Sequence, residues 1–399
     1  MSLHETVSAE RVHIAFYGMR NAGKSSLVNA VTGQSLSVVS EVKGTTTDPV
    51  KKAMELLPLG PVVIIDTPGI DDEGGLGELR VQKARETMSK TDIAVLVIDA
   101  NAGYSERDRE LCREFEEKNI PYIVALNKSD ICENKKAPGE RELYVSAVTK
   151  EGINELKERI GAFASAAKEK KGEKFVIADL LPDGGHVVLV VPVDESAPKG
   201  RLILPQQQVM RELLDTHHTF STCQPEQLTG TLSMLRDEPA MVVTDSQAFE
   251  RVAKEVPESV LLTSFSILFA RYKGDLDALV NGAEALTKLK DGDRVLISEG
   301  CTHHRQCNDI GTVKLPKWIE SYTDKRLEYE FTSGGEFPDD ADIKKYAQRV
   351  HCGGCMLNER EMKSRIERAS AAGVPIVNYG VAIAQMKGIL ARSLRGVRG

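Results

Sequence analysis

Short apolar runs alternate with amphipathic segments along the first part of the chain. The runs are rich in β-branched residues, and the segments between them space their apolar positions three or four residues apart. The last such segment, GINELKERIGAFASAA, places Ile153, Leu156, Ile160 and Phe163 on one helical face. This alternation predicts a mostly parallel sheet covered on both faces. The predicted strands are VHIAFYG, VVIIDTPG, DIAVLVIDA, YIVALNKSD and ELYVSA.

A charged segment, KEKKGEKF, follows and has the composition of a solvated linker. Beyond it, HVVLVVPVD, MVVTD and SVLLTSFSILFA are predicted to be strands, and a further block begins near DGDRVLISEG. The sequence therefore predicts an α/β protein with three domains, at residues 1–170, 171–280 and 281–399.

Composition narrows the functional classes. The 399 residues are 41% hydrophobic and 28% charged, and a net charge of −7 disfavours a large nucleic-acid interface. No apolar run approaches the ~20 residues that cross a membrane. The segment MSLHETVSAE lacks the apolar region of a signal peptide, so we expect a cytoplasmic protein. In that compartment, seven cysteines indicate metal ligands or buried thiols rather than disulfides.

The segment GMRNAGKS, from Gly18 to Ser25, fits the phosphate-loop pattern G-x-x-x-x-G-K-[ST] between a predicted strand and a helix. The N–H groups of such a loop, together with the N-terminus of the following helix, bind phosphate. We expect Lys24 to reach the β- and γ-phosphates and Ser25 to ligate Mg²⁺.

Three more motifs come at later strand ends. In DTPG, Asp66 is expected in the magnesium shell, and Gly69 offers its N–H to the γ-phosphate. In NKSD, the Asp130 carboxylate can accept both N–H donors of guanine, whereas adenine would leave it unpaired. The segment VSA, around Ser146, supplies a backbone contact to the guanine oxygen.

These four motifs together resemble the translation-factor class of P-loop GTPases, which implies GTP as the nucleotide. Ile70 stands where Ras-type enzymes carry a water-orienting glutamine, and its side chain cannot bind water. The chain resembles the TrmE–Era branch of these GTPases in two features, Asn21 in the phosphate loop and the switch segment KGTTTDPV. Thr46 of this segment is a candidate magnesium ligand. In the potassium-activated members of this branch, the matching asparagine helps to bind K⁺. The predicted nucleotide-binding residues are Asn21, Ala22, Gly23, Lys24, Ser25, Ser26, Thr45, Thr46, Asp66, Gly69, Asn127, Lys128, Asp130, Ser146 and Ala147, with Lys24, Asn21 and Thr46 as the catalytic ones.

A second constellation lies in CTHHRQC (301–307) and HCGGC (351–355). Cys352 and Cys355 can chelate one metal because two glycines let the chain turn tightly between them, and Cys301 is the natural third ligand. By spacing alone, a zinc site of three cysteines and a histidine fits as well as an iron–sulfur cluster, with buried metal-free thiols as a third alternative. The candidates for the fourth ligand are His303, His304, His351 and Cys307.

The arrangement Cys301-x-His303, then residues 304–350, then His351-Cys352-x-x-Cys355 resembles the C-x-H…H-C-x-x-C signature of the [FeFe]-hydrogenase maturation GTPases, the HydF-type family. This resemblance implies a P-loop GTPase domain, a small βα dimerisation domain and an α/β domain that binds a [4Fe–4S] cluster. It implies three cysteine ligands, with His303 and His351 at or beside a labile fourth corner; Cys307 falls outside the signature. The predicted metal-binding residues are thus Cys301, His303, His351, Cys352 and Cys355 for the cluster, and Ser25 and Thr46 for magnesium.

The same resemblance implies a slow, potassium-activated GTPase that receives and delivers the diiron subcluster of the hydrogenase. Its cofactors would be GTP, Mg²⁺, K⁺ and a [4Fe–4S] cluster, with the diiron subcluster as transient cargo. Its partners would be a second copy of itself, two radical-SAM maturases and the apo-hydrogenase, with no nucleic acid and no membrane. The alternative is a TrmE–Era-type GTPase of RNA modification or ribosome assembly with a structural zinc domain, which the acidic balance disfavours. A radical enzyme is disfavoured because the sequence has no C-x-x-x-C-x-x-C triplet.

Overall fold

The computed structural model describes residues 11–33, 49–57, 59–70, 75–171, 174–193, 202–300, 309–334, 337–338 and 340–398. The chain divides into two compact units, Met1–Glu173 and Lys174–Gly399, and each is described by itself. Within these ranges, no helix has the length and apolar character needed to span a membrane.

The first unit is built on one six-stranded sheet with strand order β2-β3-β1-β4-β5-β6. Strand β2 pairs antiparallel with β3, and the other pairs are parallel. The strands are β1 (Val12–Tyr17), β2 (Val50–Leu56), β3 (Gly60–Asp66), β4 (Ile93–Asp99), β5 (Tyr122–Asn127) and β6 (Glu142–Tyr144). The helices are α1 (Lys24–Thr32), α2 (Gly75–Met88), α3 (Glu106–Glu117) and α4 (Ile153–Lys171).

Apolar side chains cover this sheet on both faces, as the sequence predicts. Along β1, Ile14 and Phe16 enter one core while Ala15 and Tyr17 enter the other, because alternate residues of a strand point to opposite faces. The apolar face of α4 packs against the first of these cores. Since parallel strands end at the same edge, the loops after β1, β3 and β5 meet there.

The second unit holds two four-stranded parallel sheets, with strand orders β10-β9-β7-β8 and β12-β11-β13-β14. The strands are β7 (His186–Val190), β8 (Thr219–Cys223), β9 (Met241–Thr244), β10 (Leu261–Ser264), β11 (Arg294–Ser298), β12 (Glu328–Thr332), β13 (Gln348–His351) and β14 (Ile376–Asn378). The helices are α5 (Leu204–Asp215), α6 (Leu228–Met234), α7 (Phe249–Glu255), α8 (Phe265–Lys273), α9 (Leu276–Ala285), α10 (Leu315–Thr323), α11 (Asp340–Ile343), α12 (Glu359–Ala371), α13 (Tyr379–Met386) and α14 (Leu390–Ser393).

One strand prediction is wrong in part. The run SVLLTSFSILFA forms strand β10 only as far as Ser264, and helix α8 begins at Phe265. The Ser264 hydroxyl accepts a hydrogen bond from the N–H of Ile267 at 3.3 Å, so this serine caps the helix. A continuous apolar run fits a buried strand and a buried helix equally well, and the cap decides between them.

Both sheets of the second unit share one apolar core. Leu189 of β7 and Ile297 of β11 are fully buried in the same cluster, together with Leu268 of α8, Leu279 of α9 and Val381 of α13. The predicted boundary between residues 280 and 281 falls inside α9, and the division of this unit into two domains stays a prediction.

We expect Gly282→Ala to destabilise the second unit. A Cβ at this position of α9 would lie 1.9 Å from the carbonyl oxygen of Ile376 in β14, so helix and sheet must move apart. Overpacking of this kind costs about 1–3 kcal/mol, which urea-induced unfolding of the full chain followed by circular dichroism measures. The matched control is Gly230→Ala in α6, where a Cβ meets nothing within 4 Å, so the change should stabilise slightly. Equal effects of the two substitutions would contradict the close packing of α9 on β14.

Candidate functional site

The loop between β1 and α1 has the backbone of a phosphate cradle. Asn21 and Gly23 both have positive φ angles, of 63° and 84°. Gly18 and Gly23 leave no room for a side chain, because a Cβ would lie 2.3 Å from the carbonyl oxygen of Val97 and from Nδ2 of Asn127, respectively. Helix α1 begins directly after Gly23, so its unpaired N–H groups point toward the loop.

Lys24, Ser25 and Asp66 form a polar triangle at the start of α1. The Lys24 ammonium donates to Oδ1 of Asp66 at 2.8 Å, and the Ser25 hydroxyl donates to Oδ2 of the same carboxylate at 2.8 Å. Lys24 and Asp66 are buried. The two predicted magnesium-shell residues, Ser25 and Asp66, are thus in direct contact. Ser26, the next residue of α1, has an exposed side chain.

Asn127 joins the phosphate loop to the predicted guanine loop. Its buried amide Nδ2 donates to the carbonyl oxygen of Ala22 at 2.9 Å, and its Oδ1 accepts from the N–H of Ala147 at 3.1 Å. One side chain therefore fixes the distance between two loops that come from different strand ends.

Further side-chain hydrogen bonds order the rest of the predicted guanine loop. The Lys128 ammonium donates to Oδ2 of Asp99 at 2.6 Å, and the buried Ser146 hydroxyl accepts from the N–H of Thr149 at 3.0 Å. The Asp130 side chain is exposed, and its contact with guanine stays a prediction. Sequence motifs did not indicate Asp99, although it lies in the predicted strand DIAVLVIDA and is the last residue of β4.

The segment after Asp66 is fixed to the phosphate loop through its backbone. The N–H of Ile70 donates to the carbonyl oxygen of Gly18 at 3.2 Å, and the N–H of Arg20 donates to the carbonyl oxygen of Ile70 at 3.3 Å. A Cβ on Gly69 would lie 3.1 Å from Cα of Arg20. The Ile70 side chain is buried in the core, so it does not present a group to the nucleotide. Thr45 and Thr46 lie outside the described residues.

The predicted cysteine ligands of the second unit follow β13. Cys352 Sγ accepts hydrogen bonds from the N–H of Gly300 at 3.0 Å and from the N–H of Gly354 at 3.4 Å. Gly354 has a φ of 64°, which turns the chain between Cys352 and Cys355. Gly300 directly precedes Cys301 in the sequence, so the ends of β11 and β13 meet at this sulfur.

Burial controls the chemistry of both thiols. It raises the pKa of Cys352 to about 11 and also raises the pKa of Cys355, against the lowering effect of the Lys273 charge. The buried Lys273 ammonium, at the end of α8, donates to the carbonyl oxygens of Leu357 at 3.3 Å and Cys355 at 3.4 Å. A metal at these sulfurs must therefore displace protons from neutral thiols, beside a buried positive charge.

Both ring nitrogens of His351 are engaged in hydrogen bonds. Nδ1 donates to the carbonyl oxygen of Cys352 at 2.7 Å, and Nε2 accepts from Nη1 of Arg365 at 3.0 Å. Burial and the charge of Arg365 lower the pKa of His351 to about 3. A role for this histidine as a ligand stays a prediction, and it would require Arg365 to release Nε2. Motif spacing did not indicate Arg365, which pairs with Glu361 at 2.6 Å in the i,i+4 arrangement typical of helices.

The other predicted cluster residues cannot be placed. Cys301, His303, His304 and Cys307 lie outside the described residues. Within the part of the chain that the structure does describe, no group of three or more His, Cys, Asp or Glu side chains comes together as a metal site.

Comparisons with known proteins match three parts of the chain, and residues 129–175 lie outside all three. Residues 13–128 match the family model of a 50S ribosome-binding GTPase, residues 176–274 that of the hydrogen maturase F dimerization domain, and residues 277–396 that of the hydrogen maturase F tetramerization domain.

Two curated relatives each match less than half of this chain. A tRNA modification GTPase MnmE of Clostridioides difficile (strain 630) is 30% identical over 43% of this chain and 38% of its own length. A GTPase Der of Thermomicrobium roseum is 35% identical over 35% of this chain and 31% of its own length. The chain thus spans less than two fifths of these relatives. The solved G domain of the T. maritima FeoB iron transporter is 26% identical over 39% of this chain and 99% of that one, at a TM-score of 0.31, and adds nothing to the assignment.

The two maturase models are specific to one family, and they follow a GTPase domain in the order that the resemblance implies. The chain therefore belongs to the HydF-type hydrogenase maturation GTPases.

Proposed function

We propose that this protein is a GTP-hydrolysing scaffold in [FeFe]-hydrogenase maturation. It would bind a [4Fe–4S] cluster and receive and deliver the diiron subcluster of the hydrogenase. The observation that carries this proposal is one chain in which Asn127 joins the phosphate loop to the predicted guanine loop and in which Cys352 lies at the ends of two parallel strands of the second unit, the part that matches the maturase models.

In the first unit, nucleotide binding would rearrange the polar triangle at α1. Lys24 would exchange Asp66 for the β- and γ-phosphates, and Ser25 and Asp66 would hold Mg²⁺, which supplies charge stabilisation to the phosphates. Thr46 would complete the magnesium shell. The exposed Asp130 would select guanine, while Asn127 keeps the phosphate and base loops in register.

Hydrolysis would be slow because nothing at position 70 orients water. Ile70 is buried in the core, in contrast to the glutamine of Ras-type enzymes. We propose that K⁺, held in part by Asn21, supplies the positive charge that an arginine finger supplies elsewhere. The positive φ of Asn21 sets its exposed side chain at the rim of the phosphate loop, which supports this role.

In the second unit, Cys301, Cys352 and Cys355 would hold three irons of the cluster. The described part of the loop fits this role, since backbone N–H groups already point at Cys352 Sγ and Lys273 offsets added negative charge near Cys355. When bound, the cluster supplies an iron with a replaceable ligand, the counterpart of the open position of catalytic zinc. His303 or His351 would lie at or beside that iron.

The maturase F domain names indicate an oligomeric protein. We propose a homodimer as its basic form, with two radical-SAM maturases and the apo-hydrogenase as partners and with no nucleic acid or membrane. The five cysteines within the described ranges are free thiols, which supports a reducing, cytoplasmic location.

The second candidate is a GTPase of RNA modification with a structural zinc site. Two observations favour it. A tRNA modification GTPase is similar to this chain over 43% of its residues, and the cysteine spacing suits zinc as well as iron. Anaerobic purification separates the two: the scaffold yields a brown protein with iron and sulfide, and the second candidate yields a colourless protein with zinc.

We expect GTP hydrolysis to be several-fold faster in KCl than in NaCl at equal ionic strength, because Na⁺ is too small for a site sized for K⁺. Asn21→Ala should remove this difference, and phosphate release at saturating GTP measures it. Lys24→Ala is the control and should abolish hydrolysis in both salts. Equal rates of the unmodified protein in the two salts would exclude the potassium role.

We expect Cys352→Ala to lose most of its iron and sulfide after anaerobic reconstitution, because a thiolate ligand is removed from the cluster. Cys223→Ala is the matched control, since Cys223 is a buried free thiol at the end of β8 and should leave the cluster content unchanged. Metal analysis and the electron spin resonance spectrum of the reduced protein measure both variants. A full and unaltered cluster in Cys352→Ala would overturn the ligand assignment.

A further inference from the structure

Three arginines converge on one aromatic ring in the second unit. The guanidinium carbons of Arg349, Arg365 and Arg368 lie 3.8, 4.9 and 5.2 Å from the centre of the Phe337 ring. Arg349 comes from β13, and the other two come from successive turns of α12. Three like charges within this space repel one another unless negative charge offsets them.

Two of the three arginines have clear partners. Arg365 donates to Glu361 at 2.6 Å, to the carbonyl oxygen of Gly334 at 3.1 Å and to His351. Arg368 donates to the carbonyl oxygen of Pro338 at 2.7 Å. Glu361 pairs directly with Arg365 and offsets its charge.

Arg349 is different. Its side chain is 1% exposed, and within the described residues none of its three guanidinium nitrogens has a hydrogen-bond partner. A guanidinium stays protonated at neutral pH, and burial and the charges of Arg368 and Arg365, which lower the pKa of Arg349, do not change this. Burial of an unpaired ion destabilises a protein by more than stacking on an aromatic ring stabilises it.

A group that pairs with Arg349 needs a negative charge and several acceptor atoms. A guanidinium presents its donors in a planar fork that matches a carboxylate or phosphate, and a buried fork of this kind binds such groups with two parallel hydrogen bonds. Phe337 and Arg368 are only partly buried, so the cluster is accessible from solvent on that side.

We propose that Arg349, with Arg368 beside it, forms a binding site for one small oxyanion of the carboxylate or phosphate class. The site lies on the face of the sheet that carries Leu296, opposite the large shared core. The site borders the cysteine loop, because Arg365 donates to Nε2 of His351 and Nδ1 of the same imidazole donates to the Cys352 carbonyl oxygen. This inference does not depend on the proposed scaffold function.

Titration calorimetry of the full chain with inorganic phosphate tests the proposal. Ionic strength is held constant with chloride, and a non-hydrolysable GTP analogue with Mg²⁺ fills the phosphate loop. The unmodified protein should bind phosphate, and Arg349→Met should weaken this binding at least about tenfold, because charge-assisted hydrogen bonds are lost. Arg349→Lys should be intermediate, since lysine keeps the charge and loses the fork. The matched control is Arg236→Gln, which removes an exposed arginine and should bind as the unmodified protein does.

Thermal unfolding identifies where the negative charge comes from. For an anion taken from solution, phosphate or acetate should raise the unfolding midpoint of the unmodified protein but not that of Arg349→Met. In chloride alone, Arg349→Met should be at least as stable as the unmodified protein, because an apolar side chain replaces an unpaired buried charge. The proposal is overturned if the unmodified protein binds neither anion, or if Arg349→Met binds phosphate unchanged. Strong destabilisation of Arg349→Met in chloride would also overturn it, since that result means a carboxylate of the chain itself already neutralises Arg349.

Discussion

Parallel strand pairing is the constraint on which both candidate sites depend. Parallel neighbours need a crossover between them, and their carboxyl ends collect at one edge of the sheet. In the first unit, Asp66 ends β3 and Asn127 ends β5, next to the loop that follows β1. In the second unit, Gly300 follows β11 and Cys352 follows β13, and their hydrogen bond joins the two strand ends. Residues far apart in sequence therefore meet without any long loop to carry them.

The sequence predicted the elements whose periodicity is strong and whose function is local. The strands before the phosphate loop, DTPG and NKSD are mostly apolar, and each of these motifs lies at or directly after the end of its strand. Strands β2, β8 and β12 escaped prediction because most of their side chains are exposed or half-buried, so no apolar run marks them. Strands β13 and β14 are buried, but with 4 and 3 residues they are too short to form a recognisable run. The change from strand β10 to helix α8 at Ser264 was missed because the apolar run continues through it. The serine cap of the helix is the feature that marks this change.

Spacing motifs also cannot show how a candidate ligand is engaged by the rest of the fold. The pattern H-C-x-x-C treats His351 and Cys352 alike, but the strand turns successive side chains to opposite faces. His351 thereby meets Arg365, a residue of the following helix, while Cys352 meets the N–H of Gly300 from another strand. Such partners lie beyond the reach of any local pattern, and they decide which side chain is available to a metal.

The electrostatics of the two units differ in a way that suits their proposed roles. In the first unit the buried Lys24 and Asp66 already neutralise each other, so the arrival of a nucleotide and a cation exchanges one compensated arrangement for another. In the second unit, burial keeps the thiols neutral, the buried Lys273 lies at the Cys355 carbonyl, and the buried Arg349 has no hydrogen-bond partner within the described residues. A low-dielectric region with excess positive charge is stabilised by whatever brings negative charge into it. Ionised thiolates would bring such charge to the cysteine loop, and an oxyanion would bring it to the arginine cluster. The second unit should therefore gain stability when its ligands bind. In the first unit, binding mainly replaces the Lys24–Asp66 ion pair by contacts to the nucleotide and the cation.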